Sequence, residues 1–499
     1  MPADEQIKGS PERGRSAVQS GLLTGLSFLT VSGAAAVAGA FLAHKFGRDV
    51  RTDGFMAAYG VYLVLVLGAQ SFRMVVVPDL TRAAGQGSLG DEFRAYVIAF
   101  AVVAIPATLI VAAFPDFFGE LITGRLPHES AVIAGSALPW LVPAAFGQLL
   151  AALAASALAA RDNYLVAAAG FALGGVGGVL MFVLLADQHG LVSLAWGLAL
   201  NAALAVALPA TALVLRGGRV RRTRVPVELR RRLGRLLLGA AVPLAVQGIY
   251  VIGLRFAAGT GTGNVTSLSY AYLLAAMFVS ATAFSLSLIA AAPLTRRGVN
   301  AESAADHVVH TAWVALAFVG AATGLVALVG GRVVTAALGD AYAGKVGDQL
   351  GRLVVYLSPW MVAWAAFSIT YPLLFVMHRT RLLIPIAVAA VLVDVPISIA
   401  GRAWWGLTGV TFAMGVSMTL IVLGLMAALS RRTLMLALAG LLRLSVLVGA
   451  ATALAFGGAS LLLNAVPAAA AGLGLYALIL LAVRELGLAA AWHHVRALR

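Results

Sequence analysis

Four ionisable side chains fall inside or at the rim of strongly apolar stretches, and their types define the chemistry open to this chain. Arg73 lies in "GVYLVLVLGAQSFRMVVVPDLTR" (Gly60 to Arg82), Arg255 in "IYVIGLRFAAG", Asp394 in "VAAVLVDVPISIAG" and Asp53 in "FGRDVRTDGFMAAY" (Phe46 to Tyr59). A charge at the centre of a membrane helix costs about 2.5–3.5 kcal/mol on insertion scales, so each one needs a reason. Arg73 has two readings. Its guanidinium offers a bidentate fork to a phosphate, or it snorkels to the nearby headgroups. Asp394 has three: a proton carrier, an ion pair with Arg255, or a carboxyl hydrogen-bonded to a neighbouring helix. An unpaired carboxylate in an apolar phase must be neutralised or meet a cation. Asp53 opens a helix, where it or Thr52 would complement the helix dipole.

Other chemistries find no support. The chain contains no cysteine, which excludes disulfides, thiol nucleophiles and thiolate metal sites. No Walker motif and no nucleophile–base constellation occurs, so neither an enzyme nor direct use of ATP is expected. Gly174, Gly175, Gly177 and Gly178 lack the strand–turn–helix context of a nucleotide fold and suit close helix packing instead. His493-His494 has no acidic or cysteine partner for a metal. No cofactor is expected.

These residues must be positioned by membrane helices. The 499 residues are 61% hydrophobic and 11% charged, with mean hydropathy +0.95, whereas a soluble domain carries roughly 25% charged residues. The apolar runs are about 20 residues long, enough to cross a hydrocarbon core of roughly 30 Å as helices. The expectation is an all-α polytopic membrane protein with about 14 transmembrane helices. Its spans fall near residues 17–43, 54–78, 94–114, 132–158, 163–186, 190–215, 236–258, 265–292, 307–330, 351–377, 382–404, 406–429, 438–463 and 466–483. The polar opening "MPADEQIKGSPERGRS" argues against a cleaved signal peptide. A net charge of +15 sits in short loops, where topology accounts for it without nucleic acid. Most basic residues, including "RGGRVRRTRVPVELRRRLGR" (Arg216 to Arg235), then lie on the side of both termini, which the positive-inside rule assigns to the cytoplasm.

The chain also repeats. "PDLTR" ending at Arg82 matches "APLTR" ending at Arg296, "GLVSLAWG" from Gly190 resembles "GLTGVTFA" from Gly406, and Pro139-Trp140 matches Pro359-Trp360. The order and near-constant offset imply two six-helix bundles related by a pseudo-two-fold axis, enclosing a cavity and rocking against each other. The expected layout is a tail (1–16), a first lobe (17–215), a basic linker (216–235), a second lobe (236–430), two additional helices (431–483) and a cytoplasmic tail (484–499). At the twin of Arg73, "FSLSLIAAAPLTRRG" (Phe284 to Gly298) carries Leu286, Ser287 and Leu288, with no charge.

A duplicated six-plus-six plan resembles the multidrug/oligosaccharidyl-lipid/polysaccharide (MOP) exporter superfamily. The two further spans and the stretches "FGRDVRTDGFMAAY", "VVVPDLTR", "AAAPLTRRG" and "GLTGVTFAMG" resemble its MurJ/MviN branch of lipid II flippases, with Wzx-type polysaccharide flippases as near relatives. The resemblance implies a multi-pass protein of the bacterial inner membrane. It would move a polyprenyl-pyrophosphate-linked saccharide of the cell envelope, by alternating access coupled to membrane potential, H⁺ or Na⁺. Its partners would be the lipid-linked oligosaccharide, membrane lipids and envelope-synthesis proteins. The basic candidates for the substrate are Arg73, Arg255, Arg48 and Arg51, with Asp53 as a gating contact at the outer rim and Asp394 as the ion-coupling group. The branch's cavity arginines on the first, second and eighth helices are missing here: the first helix has none in its apolar body, and Val66 or Leu67 and Leu273 stand at the other two positions. Two other functions stay open, a cation-coupled multidrug-type exporter and a non-transporting scaffold of envelope synthesis.

Overall fold

In the apolar phase of a bilayer no water satisfies backbone N–H and C=O groups, so a spanning chain must close its hydrogen bonds within each segment. The computed structural model obeys this: among the described residues (30–161, 164–216, 228–279, 301–377, 379–484 and 489) there are helices and no strands. Helix α1 (residues 30–46) leads through a short turn to α2 (Val50–Gly85), α3 (Leu89–Ala113), the short α4 (Pro115–Thr123) and α5 (His128–Ala159). Next come α6 (Tyr164–His189), α7 (Val192–Arg216), α8 (Leu229–Ala257) and α9 (Asn264–Val279). The chain continues with α10 (Ala301–Leu338), α11 (Lys345–Tyr356), α12 (Ser358–Val376) and α13 (Leu383–Leu429). It ends in α14 (Arg431–Thr452), a π-turn over Ala453–Gly457, α15 (Gly458–Leu462) and α16 (Ala465–Ala482).

Nine of the described helices are long and apolar enough to span a membrane, or ten when α11 and α12, bent by 43° at Leu357, are taken as one. The protein is therefore a multi-pass helical membrane protein. One detail differs from the sequence expectation. The last seven residues of the basic linker are helical, since α8 begins at Leu229 rather than near 236. The expected eleventh and twelfth spans are the two helices of α13, which meet at a break at Gly406 (φ +58°, ψ −132°). Its repeat twin Gly190 adopts φ +59°. A left-handed residue at the same point of both halves is what a duplicated "GL" turn requires, and only glycine takes that conformation without strain.

Contacts group the chain into two compact units that are not the two sequence halves. The first comprises Met1–Phe41, Gly68–Pro115 and Ser136–Leu236; the second comprises Leu42–Leu67, Asp116–Gly135 and Leu237–Arg499. In the first, Val76, Leu80, Tyr96, Leu149, Leu153 and Leu236 form an apolar core. Here α6 packs on α7, with the glycine-rich stretch of α6 at the contact: a Cβ on Gly178 would come within 2.5 Å of the Gly197 carbonyl oxygen. Lipid-immersed helices gain no hydrophobic drive from meeting each other, so small residues that allow close backbone approach supply the attraction. In the second unit an aromatic stack replaces that device. Tyr250 lies on Tyr272 (3.9 Å between centroids), Tyr272 meets Trp360 (4.9 Å) and Trp360 meets Trp364 (4.4 Å).

Gly178→Val should therefore lower stability by about 1–3 kcal/mol through overpacking, read as a fall in the midpoint of thermal unfolding in detergent. Val176→Ala, on the exposed face of the same helix, should leave the midpoint unchanged.

Candidate functional site

The α1–α2 turn, the α8–α9 turn and the start of α11 meet at one end of the second unit. Gly47, Arg48 and Asp49 leave α1 and turn into α2. Asp49, not Thr52 or Asp53, caps α2: its Oδ1 accepts from the Thr52 backbone N–H (2.7 Å) and hydroxyl (2.9 Å). That satisfies one of the amide groups a helix leaves open at its start. Asp53 is thereby released for another purpose. Fully buried, it caps a different helix, α9. Its Oδ2 accepts from the Gly263 N–H, and its Oδ1 from the Thr266 N–H (2.8 Å) and hydroxyl (2.6 Å). A carboxylate set against a helix amino terminus also gains from the macrodipole.

Arg48 completes the contact from the other side of the turn. Its Nε donates to the Gly263 carbonyl (2.7 Å) and its NH2 to Asn264 Oδ1 (2.7 Å). Burial pushes the Arg48 guanidinium down from its ordinary value, and the Asp53 charge opposes the shift. Tyr342, whose hydroxyl donates to the Gly47 carbonyl (3.1 Å), is pushed up, chiefly by its own burial. The clamped turn needs glycine at its apex: Gly263 has φ +76°, and a Cβ there would come within 2.5 Å of Arg48 Cγ. Arg48 and Asp53 together form a latch on the 263–266 turn.

Two more arginines of this end hold helix carbonyls. Arg255 donates through NH1 to the Leu121 carbonyl in α4, and Arg402 donates to the Gly259 carbonyl just beyond α8 (2.8 Å). Cations at helix carboxyl ends satisfy orphan carbonyls and offset the dipole. Arg51 is exposed and faces Glu129 at 3.7 Å. The intramembrane pair Arg255–Asp394 that the sequence left open is not formed. Arg255 has a carbonyl within reach, while fully buried Asp394 accepts at Oδ1 from Ser417 (2.8 Å). Asp394 Oδ2 is buried without a hydrogen-bond partner. Arg73 falls within α2, and its side chain lies outside the described residues, as do Phe284 to Gly298 and His493-His494.

The first unit carries a cluster that the sequence reading missed. Asp79, in the "PDLTR" that ends the first quoted stretch, accepts from Arg235 (2.8 Å) and from the Tyr96 hydroxyl (2.6 Å), and Arg82 lies 3.4 Å away. Glu92 takes a two-pronged bond from Arg232, whose guanidinium sits 5.0 Å above the Tyr96 ring. The Arg232 and Glu92 side chains are only 11% and 15% exposed, so this pair is screened little by salt. The basic linker is thus tied at its helical end to acids on α2 and α3. A signal was present: both acids fall on the side expected to hold the arginine-rich linker.

Comparison with solved structures places this architecture. The chain has the fold of MOP-superfamily membrane transporters. One such structure is "Lipid II flippase MurJ, inward closed conformation", at TM-score 0.74 and 14% identity over 93% of this chain and 99% of that one. Others are an inward-facing multidrug resistance MATE family transporter (TM-score 0.58, 15% identity, 82% and 98% covered) and a MOP superfamily transporter from Pyrococcus furiosus Vc1 (TM-score 0.59, 13% identity, 86% and 96% covered). No protein-family model matches the chain, and no curated protein matches it in sequence.

Two outcomes follow. Asp53→Ala removes a cap and orphans two amides, which should cost about 1–3 kcal/mol. Amide hydrogen exchange at Gly263–Thr266 should rise, and adding Arg48→Ala should add less than its separate effect. Because Arg255 and Asp394 do not touch, a double-mutant cycle on Arg255→Leu and Asp394→Asn, followed by thermal unfolding, should give a coupling below about 0.5 kcal/mol.

Proposed function

We propose that the protein is a flippase for a polyprenyl-pyrophosphate-linked saccharide of the bacterial cell envelope, lipid II-like, working by alternating access in the cytoplasmic membrane. The observation that carries the reading is the fold likeness to the MurJ structure, which extends over 93% of the chain at TM-score 0.74, against 0.58 for the MATE transporter. The two segments beyond the repeat support it too, since they suit the MurJ plan. In this reading both termini and the basic linker are cytoplasmic, and Arg73 meets the pyrophosphate from within α2. The Arg48–Asp53 latch on α9 is the outer gate, opening and closing once per cycle. Charge-assisted contacts suit a gate because their loss on opening is offset by hydration, whereas an apolar seal would have to be exposed to water.

The MATE likeness and the spare oxygen of Asp394 favour one second reading, a cation-coupled exporter of small amphipathic molecules. Asp394 would then take up a proton or hold a cation in each cycle.

Depleting the protein in its native host should cause one lipid-linked saccharide precursor to accumulate on the inner leaflet. Complementation with Arg73→Ala should restore its translocation roughly 10–100-fold less well than the wild type, the loss of a bidentate charged contact, and Arg73→Lys should recover part. If no lipid-linked precursor accumulates while efflux of amphipathic cations falls and Asp394→Asn abolishes it, the exporter reading replaces the flippase.

A further inference from the structure

Beside the latch, the second unit contains two adjoining hollows of opposite character. The polar one, about 470 Å³, is lined by Thr260, Asn264, Lys345, Gln349, Arg352 and the start of the second half of α13 at Gly406–Thr408. Lys345, Gln349 and Arg352 are spaced i, i+4, i+7, so they share one face of α11, with Leu353 at its edge also lining the hollow, while Leu350 and Val354 are buried on the other. No carboxylate lines this hollow, and among the described residues neither Lys345 nor Arg352 forms an ion pair. The apolar hollow, about 450 Å³, is lined by Val355, Tyr356, Pro359, Trp405, Phe412 and Thr408. Thr408 belongs to both, so the two meet there.

We propose that this pair of hollows binds an anionic phospholipid. Its phosphate sits between Lys345 and Arg352, and its hydrocarbon runs along Tyr356, Trp405 and Phe412. Each hollow has the size of an ordinary ligand pocket, roughly 300–1,000 Å³. Two unpaired cations without an acid select an anion, and Arg352 brings the planar fork that suits a phosphate. The amino-terminal turn at Leu407 and Thr408 adds the positive end of a helix dipole. A free anion would have no use for the aromatic half, and a neutral lipid none for the cationic half. Trp405, Tyr356 and Phe412 are exposed on the surface, and Trp and Tyr concentrate where acyl chains meet headgroups. The site differs from the transported substrate's path proposed above and does not rest on it. Gln349 donates to Asn264 Oδ1 (3.3 Å), the oxygen that also accepts from Arg48, so the occupied hollow borders the latch directly.

The test is native mass spectrometry of the full chain in detergent, titrated with phosphatidylglycerol and, separately, phosphatidylcholine of the same acyl chains. Wild type should hold phosphatidylglycerol roughly tenfold more tightly, the size of one charge-assisted contact. Lys345→Gln with Arg352→Gln should bring the two lipids level, and Trp405→Ala should weaken both. Both cations are exposed, so the double variant should keep the wild-type unfolding midpoint. Phosphatidylglycerol preference unchanged in the double variant would overturn the site. Displacement of the lipid by inorganic phosphate, with no effect of Trp405→Ala, would replace it with a free-anion site.

Discussion

A polar group taken out of water must find its partner inside the protein, and the arrangement of this chain depends on how that requirement is met. The backbone meets it by helix formation. Side chains have fewer options, because Asp53 and Asp394 are both fully buried and an unsatisfied buried polar group costs on the order of 1–3 kcal/mol. Asp53 answers with three donors from the start of α9. That one carboxylate joins residues 210 and 213 positions apart, and the surrounding turn, with Arg48 on its carbonyl and Gly263 at its apex, is shaped to receive it.

The same requirement sorts the arginines. A guanidinium carries five N–H donors and no acceptor, so it seeks carbonyls wherever no carboxylate is near. Arg48, Arg255 and Arg402 each reach a main-chain carbonyl at a turn or helix end. Arg232 and Arg235 find the acids Glu92 and Asp79. Lys345 and Arg352 instead share a hollow that no acid lines. Basic residues that look alike in composition thus divide by the nearest available acceptor into helix caps, linker ties and cations facing an open hollow.

Local and long-range partners differ in how far the sequence discloses them. The membrane class, the helical segments and the turns at Gly190 and Gly406 were legible because they are local: apolar run length and glycine are written in consecutive residues. The close packing of the glycine-rich stretch of α6 was legible for the same reason. Asp53 was read as a cap on its own helix because local capping is the commoner use of an acid there; that Asp49 already filled that role shows only in geometry. The Arg255–Asp394 pair, one of three readings open for Asp394, is not formed: a carbonyl at the end of α4 takes the Arg255 guanidinium. The ties of Asp79 and Glu92 to the linker were missed although their charges are complementary and share one side. Sequence distances of 156 and 140 residues hide them from any reading of neighbouring positions. Pro139-Trp140 and Pro359-Trp360 match in sequence, yet Trp360 is buried against Tyr272 and Trp364, whereas Trp140 is 46% exposed and meets Trp196 edge-on. Repeats preserve backbone turns better than the surroundings of a side chain.

Comparing the two buried carboxylates separates structural from exchangeable chemistry. Asp53 has both oxygens occupied, by an amide on one and an amide and a hydroxyl on the other. Removing its charge would strand those donors, so the latch is strongest when the group stays ionised and in place. Asp394 has the Ser417 hydroxyl on Oδ1 and no hydrogen bond on Oδ2, with the Ser398 hydroxyl beside it. A carboxyl with one unfilled oxygen can accept a proton there without breaking a bond, or offer that oxygen to a cation, and Ser417 can remain in place through the change. The less satisfied acid, in mid-helix, thus has an oxygen open to a new partner, whereas the fully satisfied one holds α2 against α9 while the latch is closed. Their hydrogen-bond inventories tell the two acids apart where their residue type does not.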